Sequence, residues 1–367
     1  MKKSLIALAA LAAVTAASAQ SSVTISGKFG TAYDQPLGTA ATAKGKANIA
    51  VTDGNIDFNA VEDLGGGLKA GASMALRVRG RGNLVQTTVV AQTATTSGTV
   101  TSQAYAQSAS TEVGRNATVF LSGPFGTLTA GSIEVANGIS GRAYAGTVLS
   151  TSTGLDDGGV LSGAAYANAL TYTSPTIQGI SVTVGRFDSI GTVGIKSTAI
   201  AASGSEADLG LAANVVGLNY ANGPLTAGVD STTFTGSTTI GSTTDRKRTR
   251  MSADYDFGFV KIGFGQEDNK GTPTTGTYAG KQTAFGISAP ITSALRVGIV
   301  SLKNTESGIF AAAGASAKGT GVSADYSFSK RTTLNASYAT IARDDLTDNA
   351  NYNKEGTQYR IRLMHSF

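Results

Sequence analysis

The chain has 367 residues, no cysteine, a formal net charge of +5 and a charged fraction of 14%, well below the roughly 25% of ordinary soluble domains. The missing cysteines exclude disulfides and thiolate metal or iron–sulfur centres, and the mild charge argues against a nucleic-acid partner. Beyond the first 19 residues no stretch has 18 consecutive apolar residues, which excludes membrane-spanning helices.

The first 19 residues have the layout of a signal peptide. Lys2 and Lys3 precede an apolar stretch from Leu5 to Val14, and Ala17-Ser18-Ala19 has the small-x-small pattern of a cleavage site. The apolar stretch is shorter than the roughly 20 residues of a membrane-spanning helix. We therefore expect cleavage after Ala19 and one exported domain over residues 20–367.

Strict alternation of apolar and polar residues predicts strands along the rest of the chain. The first segment, residues 23–33, places Val23, Ile25 and Phe29 on one face and Lys28 on the other. A period of two indicates a strand whose two faces meet different surroundings. The same period recurs in segments that begin at Leu68, Val216, Val260, Leu295 and Val322.

Short and long connections alternate between these segments. Seven short turns rich in Gly, Pro or Asp lie at residues 62–67, 122–126, 173–175, 221–224, 256–259, 289–291 and 328–331. The longest connections run from about Gly80 to Ser110, Ser132 to Ala164 and Asp188 to Ser205. Seven turns that each join two strands, with a first strand near 22–33 and a last near 356–367, predict sixteen strands.

An even number of antiparallel strands, with short turns at one end and long loops at the other, is typical of a transmembrane β-barrel. The apolar face of each strand then meets lipid, and the polar face lines a water-filled lumen. A closed barrel pairs its backbone amides between strands, so it needs no packed hydrophobic core. Four tyrosines on the apolar face, each just before a short turn, are expected to form an interfacial aromatic girdle: Tyr172, Tyr220, Tyr255 and Tyr326.

The polar faces carry more cations than acids. The acids expected to point inward are Asp57, Asp230, Asp254 and Asp325, whereas the inward cations are Lys28, Lys69, Arg77, Arg79, Arg248, Arg250, Lys261, Arg296, Arg360 and Arg362. The first and last strands must pair to close the barrel, so we expect a basic stripe in which Lys28 lies near Arg360 and Arg362. Such charges favour anions in a narrow aqueous lumen. The alternative is that they are solvated side chains without effect on selectivity.

Several segments together resemble the general porins of beta-proteobacteria. They include "EDLGGGLKAG", "RNATVFLSGPFGTLTAGS", "LNYANGPLTAG", "SADYDFGFVKIGF" and the closing "MHSF". The resemblance implies an outer-membrane protein surrounded by lipid and lipopolysaccharide. It implies a homotrimer of all-β, sixteen-stranded antiparallel barrels with short periplasmic turns, long extracellular loops and a third loop folded into each lumen. Small hydrophilic solutes would pass by diffusion, and several such porins favour anions.

The resemblance also assigns roles to three further parts of the chain. The stretch 133–164, with Glu134 and Arg142, corresponds to the third loop that narrows the pore, and Asp156 and Asp157 are its candidate constriction acids. Relatives commonly carry Arg where this chain has Ser132 after Gly131, so one charge of the constriction is missing. The aromatic residue Phe367 resembles the signal that the barrel-assembly machinery recognises. The second loop, 82–110, either contacts a neighbouring subunit or forms a surface lobe.

No catalytic chemistry is expected. The single histidine, His365, lies outward in the last strand, and a Ser–His nucleophile pair needs an imidazole beside a hydroxyl. The pairs Asp156-Asp157 and Asp344-Asp345 lack the spacing of a calcium loop, so neither a metal nor a cofactor is expected. Two other functions remain open, a surface adhesin that binds through its long loops and a substrate-specific channel, although the loops show no aromatic run for the latter.

Overall fold

A computed structural model describes residues 21–35, 47–78, 86–90, 103–107, 112–135, 139–147, 155, 165–191, 212–235, 243–273, 278–308, 315–343 and 356–367. It contains eighteen strands and one short helix in these ranges. They are β1 (Ser22–Gln35), β2 (Asn48–Gly65), β3 (Leu68–Val78), β4 (Gln86–Val90), β5 (Gln103–Gln107), β6 (Glu112–Gly123), β7 (Gly126–Val135), α1 (Ser140–Ala143), β8 (Ala165–Thr173), β9 (Ile180–Gly191), β10 (Ala212–Asn222), β11 (Leu225–Thr235), β12 (Thr243–Asp256), β13 (Lys261–Pro273), β14 (Tyr278–Pro290), β15 (Leu295–Gly308), β16 (Ala315–Ser327), β17 (Thr332–Arg343) and β18 (Gly356–Ser366).

Sixteen of the strands form one closed antiparallel barrel, as the alternation predicted. Each of the seven predicted short turns joins two neighbouring barrel strands, and β1 closes the barrel by pairing with β18. The remaining two strands, β4 and β5, form a separate antiparallel hairpin within the second long connection, between β3 and β6. This hairpin was not predicted from the sequence. No helix among the described residues has the length and apolarity needed to cross a membrane.

The two faces of the barrel differ in the way the alternation predicts. Apolar side chains project outward and are exposed, including Val23 and Ile25. At the short-turn end Tyr255 and Tyr326 also lie on this outer face, where their rings contact those of Phe257 and Phe328. Apolar outward side chains are what a lipid-facing wall requires, because hydrocarbon cannot hydrate polar groups.

The pairing of β1 with β18 is regular over eight residue pairs, from Lys28↔Ser366 to Gln35↔Tyr359. Next to the Lys28↔Ser366 pair, the backbone amide of Phe367 donates to the carbonyl of Gly27 at 2.9 Å, and the Gly27 amide donates to the carbonyl of Phe367 at 3.0 Å. The Phe367 ring lies over Gly27, where an added Cβ would stand 2.6 Å from the ring. The first and last strands therefore meet without a gap in the hydrogen-bond ladder.

The lumen contains one packed apolar cluster, although a closed barrel does not require a core. A segment between β7 and β8 enters the lumen and packs Ile139, Tyr144 and Leu155 against inward apolar residues of β14–β17. Those wall residues are Ala284, Val300, Leu302, Ala317, Ala339 and Ile341. The third loop is therefore folded into the lumen, as the resemblance implied, and a dry cluster attaches it to one side of the wall.

Candidate functional site

A row of glycines makes room for the lumen loop. Gly263 and Gly265 on β13 and Gly286 on β14 face helix α1. An added Cβ at Gly263 would collide with the carbonyl oxygen of Arg142, and one at Gly286 would collide with that of Ala143. Glycine in a strand weakens it, but it allows another backbone to approach closely. The wall is therefore bare where the loop backbone lies against it.

Polar contacts fix the end of the same loop segment. The Ser288 hydroxyl donates to the carbonyl of Ala145 at 2.5 Å, and Arg296 donates to the carbonyl of Gly146 at 3.4 Å. Ala145 adopts a left-handed conformation with φ of 52°, which costs a residue with a side chain roughly 1–3 kcal/mol. The buried bond from Ser288 offsets part of that cost and holds the turn against β14.

Arg142 extends from α1 to the wall on the other side of the loop. Its guanidinium donates to Ser252 on β12 and to Asn219 on β10, each at 3.1 Å. Gly228 on β11 leaves space for it, since an added Cβ would lie 2.8 Å from the guanidinium. The predicted loop residue Arg142 thus crosses part of the lumen and has neutral hydrogen-bond partners.

Three arginines at alternate positions of β12 face the lumen, namely Arg246, Arg248 and Arg250, and all three are buried. Arg250 pairs with Glu267 at 2.5 Å, and Arg246 donates to Asn269 at 3.0 Å. Arg248 donates to the Thr232 hydroxyl at 3.5 Å and forms no salt bridge with any residue that the structure describes. Its positive charge is therefore not neutralised by a direct acid partner in that part of the chain.

The wall formed by β18, β1 and β2 has a different arrangement. Lys28 and Arg362 both contact the carboxylate of Asp53, at 3.2 and 2.5 Å. Arg360 pairs with Asp34 at 2.7 Å. The prediction of a basic stripe here was incomplete, because it omitted both acids: the structure brings Lys28 and Arg362 together, but as members of an ion-pair network.

The other predicted site residues are spread around the lumen. Lys69, Arg77, Lys261 and Arg296 lie on inward positions of their strands. Lys261 pairs with Asp254 at 2.7 Å, and Arg77 lies 3.8 Å from Glu134. Glu134 belongs to β7 and not to the loop that follows it. Arg79, Asp156 and Asp157 lie outside the described residues.

Several inward charged residues were missed from the sequence, among them Asp34, Asp53, Arg246 and Glu267. Each lies an even number of positions from a residue that the alternation did assign inward, so extending the same period would have found them. The glycines that face the loop carry no comparable signal. Glycine in a strand also marks bulges and bends, and nothing in the sequence distinguishes these uses.

His365 lies on the outer face at the short-turn end, where its Nδ1 is 2.9 Å from the Thr332 hydroxyl oxygen. The lumen loop and the arginines of β12 are on the inner face of the barrel. In the described part of the chain, no group of three or more His, Asp or Glu side chains is placed to hold a metal ion.

Comparisons with known proteins agree with this architecture. A family model described as Gram-negative porin matches residues 7–346. Outer membrane porin protein 32 of Delftia acidovorans is 29% identical over 312 residues, which cover 79% of this chain and 76% of that protein. The solved anion-selective porin from Comamonas acidovorans superimposes with a TM-score of 0.65 at 20% identity, over 95% of this chain and all of that one. A trimer form of OmpT from Vibrio cholerae has a TM-score of 0.61 at 12% identity, over 95% of this chain and 99% of that chain.

Proposed function

This chain belongs to the Gram-negative porin family, whose members lie in the outer membrane, and we propose that its lumen is a passive diffusion channel that prefers anions. The observation that carries the preference is the pair of lumen guanidiniums with neutral hydrogen-bond partners, Arg142 on the loop and Arg248 on β12, the strand that Arg142 contacts through Ser252. A solved porin of the same fold is itself described as anion-selective.

The position of these two charges makes them effective. The lumen loop narrows the barrel at this level, and charges inside a narrow passage with low-dielectric walls are screened less than charges on an open surface. An anion that passes Arg142 and Arg248 gains attraction, whereas a cation of the same size is repelled. The three cations of the β18–β1–β2 wall contribute less, because Asp34 and Asp53 offset two of their three charges at a distance.

The test is the reversal potential of the purified protein in a planar bilayer across a potassium chloride gradient. We expect stepwise openings and a potential of the sign given by chloride permeation. Arg248→Gln should lower the chloride-to-potassium permeability ratio. Lys330→Gln, which removes an exposed charge in the short turn between β16 and β17, serves as the matched control and should leave the ratio unchanged.

Three other outcomes would contradict the proposal. A ratio that Arg248→Gln leaves unchanged would show that this charge does not set selectivity. The absence of openings from folded protein would favour the adhesin, and saturable block of the main current by one physiological solute would favour a substrate-specific channel. His365 takes no part in this function, and we propose no catalytic step.

The outer face of β2, β3, β6 and β7 supports a homotrimer. It presents small side chains between larger apolar ones, with Ala60, Ala72, Ala117 and Ala130 near Met74 and Val119. We propose a second copy of the chain as the occupant of this flat apolar surface, because a similar structure was solved in a trimer form. Ala72→Trp should convert the trimer to monomer in native mass measurements, whereas Ala324→Trp on the outer face of β16 should not.

The outer face of β12–β16 supports contact with lipopolysaccharide. It carries a row of exposed lysines near the long-loop end, namely Lys247, Lys270, Lys281, Lys303 and Lys318. Lys247 lies directly opposite Lys270 on the neighbouring strand, and Lys303 lies directly opposite Lys318 in the same way. Like charges in directly opposite positions are destabilising. We propose that the phosphates of lipopolysaccharide lie against this row and offset the repulsion.

The lysine row can be tested by thermal unfolding in detergent. Without lipopolysaccharide, Lys318→Gln should stabilise the barrel by about 0.5 kcal/mol, because it removes one like-charge pair. With lipopolysaccharide added, the wild type should gain stability and the variant should gain less. Equal gains for both proteins would contradict the lysine row as the contact. Lys330→Gln is again the control of equal charge.

Phe367 is proposed as the residue through which the barrel-assembly machinery recognises the chain. Its ring projects outward, half exposed, beside Gly27. Phe367→Ala should reduce the amount of folded barrel in the outer membrane of expressing cells. The same variant should refold from denaturant into detergent as the wild type does, and a refolding defect would instead indicate a purely structural role.

A further inference from the structure

A side cavity of about 260 Å³ opens off the lumen between Arg142 and the wall of β8–β12. Its floor is apolar, with Phe187, Val215 and Phe234 among the lining side chains. Three arginines, Arg142, Arg248 and Arg250, line its polar side. The cavity thus combines cations and aromatic rings within the width of one small molecule.

The charges around the cavity do not balance locally. Arg250 is engaged by Glu267, and that carboxylate also accepts a bond from Asn269 at 2.5 Å. One further acid, Asp230, lines the cavity and lies directly opposite Arg250 on the neighbouring strand. Arg142 and Arg248 have only neutral hydrogen-bond partners among the described residues. A negatively charged occupant would therefore be attracted here.

Arg248 also has an unused donor. The side chain is only 7% exposed, and its Nε, which is buried, has no hydrogen-bond partner in the described part of the molecule. A buried guanidinium donor without a partner costs free energy, and carboxylates accept from guanidinium in a two-bond arrangement. An oxygen anion in the cavity can accept hydrogen bonds from the guanidiniums of Arg142 and Arg248 that line it.

The apolar side of the cavity fits an aromatic body. The guanidinium carbons of Arg246 and Arg248 lie 5.0 and 5.2 Å from the centre of the Phe234 ring, which orders both arginines beside an aromatic surface. Phe187 lies across the same cavity. An apolar protein cavity of about 150 Å³ is large enough to hold benzene, so this larger one has room for a single ring.

We propose that this cavity is a binding subsite for a small aromatic carboxylate on its way through the channel. The carboxylate lies between Arg142 and Arg248, and the ring lies against Phe187, Val215 and Phe234. This inference rests on the proposed anion-preferring channel and names the class of solute that the channel retains. Chloride lacks an apolar part that could contact the floor, and a neutral aromatic molecule would leave Arg142 and Arg248 without a counter-ion.

The experiment measures single-channel current of the wild-type protein in potassium chloride while benzoate, acetate or benzyl alcohol is added. Benzoate should reduce the open-channel current in a saturable way at a concentration roughly tenfold below that needed for acetate, because burial of one ring contributes on the order of one factor of ten or more. Benzyl alcohol, which has the ring without the charge, should not reduce the current at the same concentrations.

Two variants test whether the benzoate block arises in this cavity. Phe234→Leu keeps an apolar side chain of similar size and should reduce the difference between benzoate and acetate, and Arg248→Gln should abolish benzoate block. Phe285→Ala removes an aromatic ring from the outer face of β14 and is the matched control. It should retain the benzoate block of the wild type.

The possible outcomes distinguish a failure of the subsite from a failure of the channel function on which it rests. If benzoate and acetate act alike on a channel that prefers chloride, the subsite is wrong and the channel stands. If the wild-type channel shows no chloride preference, the result contradicts the proposed anion-preferring function itself. Equal block of Arg248→Gln and wild type by benzoate would place any binding elsewhere and overturn the cavity assignment.

Discussion

The two charged walls of the lumen use arginine differently. On the wall of β18, β1 and β2, the cations form ion pairs with acids. Arg360 pairs with Asp34, and Arg362 and Lys28 both pair with Asp53. On the wall of β10–β14, glycines leave space for the loop backbone, and the hydrogen-bond partners of Arg142 and Arg248 among the residues described are neutral. The ion pairs of the first wall stabilise the barrel, whereas the arginines of the second wall can attract solute anions.

The difference shows that an inward-facing cation is not by itself a selectivity residue. A cation held by a carboxylate within 3 Å presents little net charge to an ion several ångströms away. A cation with only hydroxyl or amide hydrogen-bond partners presents more of its charge. Partner identity therefore decides which of two arginines with the same orientation acts on the permeating ion, and three sets of variants test this distinction.

The largest effect is expected from Asp53→Asn on the paired wall. The substitution leaves Arg362, which is 1% exposed, and Lys28 without their shared carboxylate. Breaking a buried ion pair from one side costs about 3 kcal/mol, so the unfolding temperature in detergent should fall, as followed by circular dichroism. The freed charges should at the same time raise the chloride-to-potassium permeability ratio.

Asp63→Asn is the control for this substitution. It removes an exposed carboxylate near the end of β2 and keeps an oxygen that can accept from the Gly65 amide. Its stability should change by no more than about 0.5 kcal/mol. If Asp53→Asn is as mild as this control, the network on the closing wall is not a source of stability and the contrast between the walls fails.

A smaller effect is expected from the double variant Gly263→Ala with Gly286→Ala on the loop-bearing wall. The two added methyl groups collide with backbone carbonyls of α1, and overpacking of this kind costs about 1–3 kcal/mol. The loop should relieve the collision by moving away from the wall towards the lumen axis. Single-channel conductance should therefore fall below that of the wild type.

Gly141→Ala is the matched control for the glycine variants. It adds the same methyl group to α1 itself, where nothing lies within 4 Å of the new Cβ. Its conductance should equal that of the wild type. Unchanged conductance in the double variant as well would mean that the glycines do not set the position of the loop.

The smallest effect on selectivity is expected from removing a neutral pair, Asp34→Asn with Arg360→Gln. The two side chains contact each other at 2.7 Å, so the substitutions change the net charge of the lumen by nothing. The reversal potential should stay at the wild-type value, in contrast to Arg248→Gln. A shift as large as that of Arg248→Gln would show that paired and unpaired arginines act alike.

Much of the fold could be predicted because a barrel strand has one strict period. Each strand has lipid on one face and the lumen on the other, so alternation alone gave the orientation of residues as far apart as Lys28 and Arg360. The short turns gave the strand count. The hairpin of β4 and β5 was missed, since it is not part of the barrel sheet and its segments are too short to show a clear period.

The partners of the lumen charges could not be predicted in the same way. Ion pairs depend on the register between strands, and register shifts occur in the pairing of β1 with β2 at Gly30/Thr31 and of β3 with β6 at Ala75/Leu76. Asp53 lies beside the first of these shifts. The loop packing depends on contacts between segments far apart in sequence, such as Ser288 with Ala145, for which one sequence carries no signal.

The seam between β1 and β18 has a consequence for the fidelity of folding. It joins residues such as Asp34 and Arg360, which are 326 positions apart, so its closure carries a large entropic cost and we expect it to be late. A slip of one residue in β18 would turn Arg360 and Arg362 towards lipid, at about 2–4 kcal/mol each near the bilayer midplane. Asp34 and Asp53 therefore favour the correct register of β18, because only that register lets both arginines reach a carboxylate.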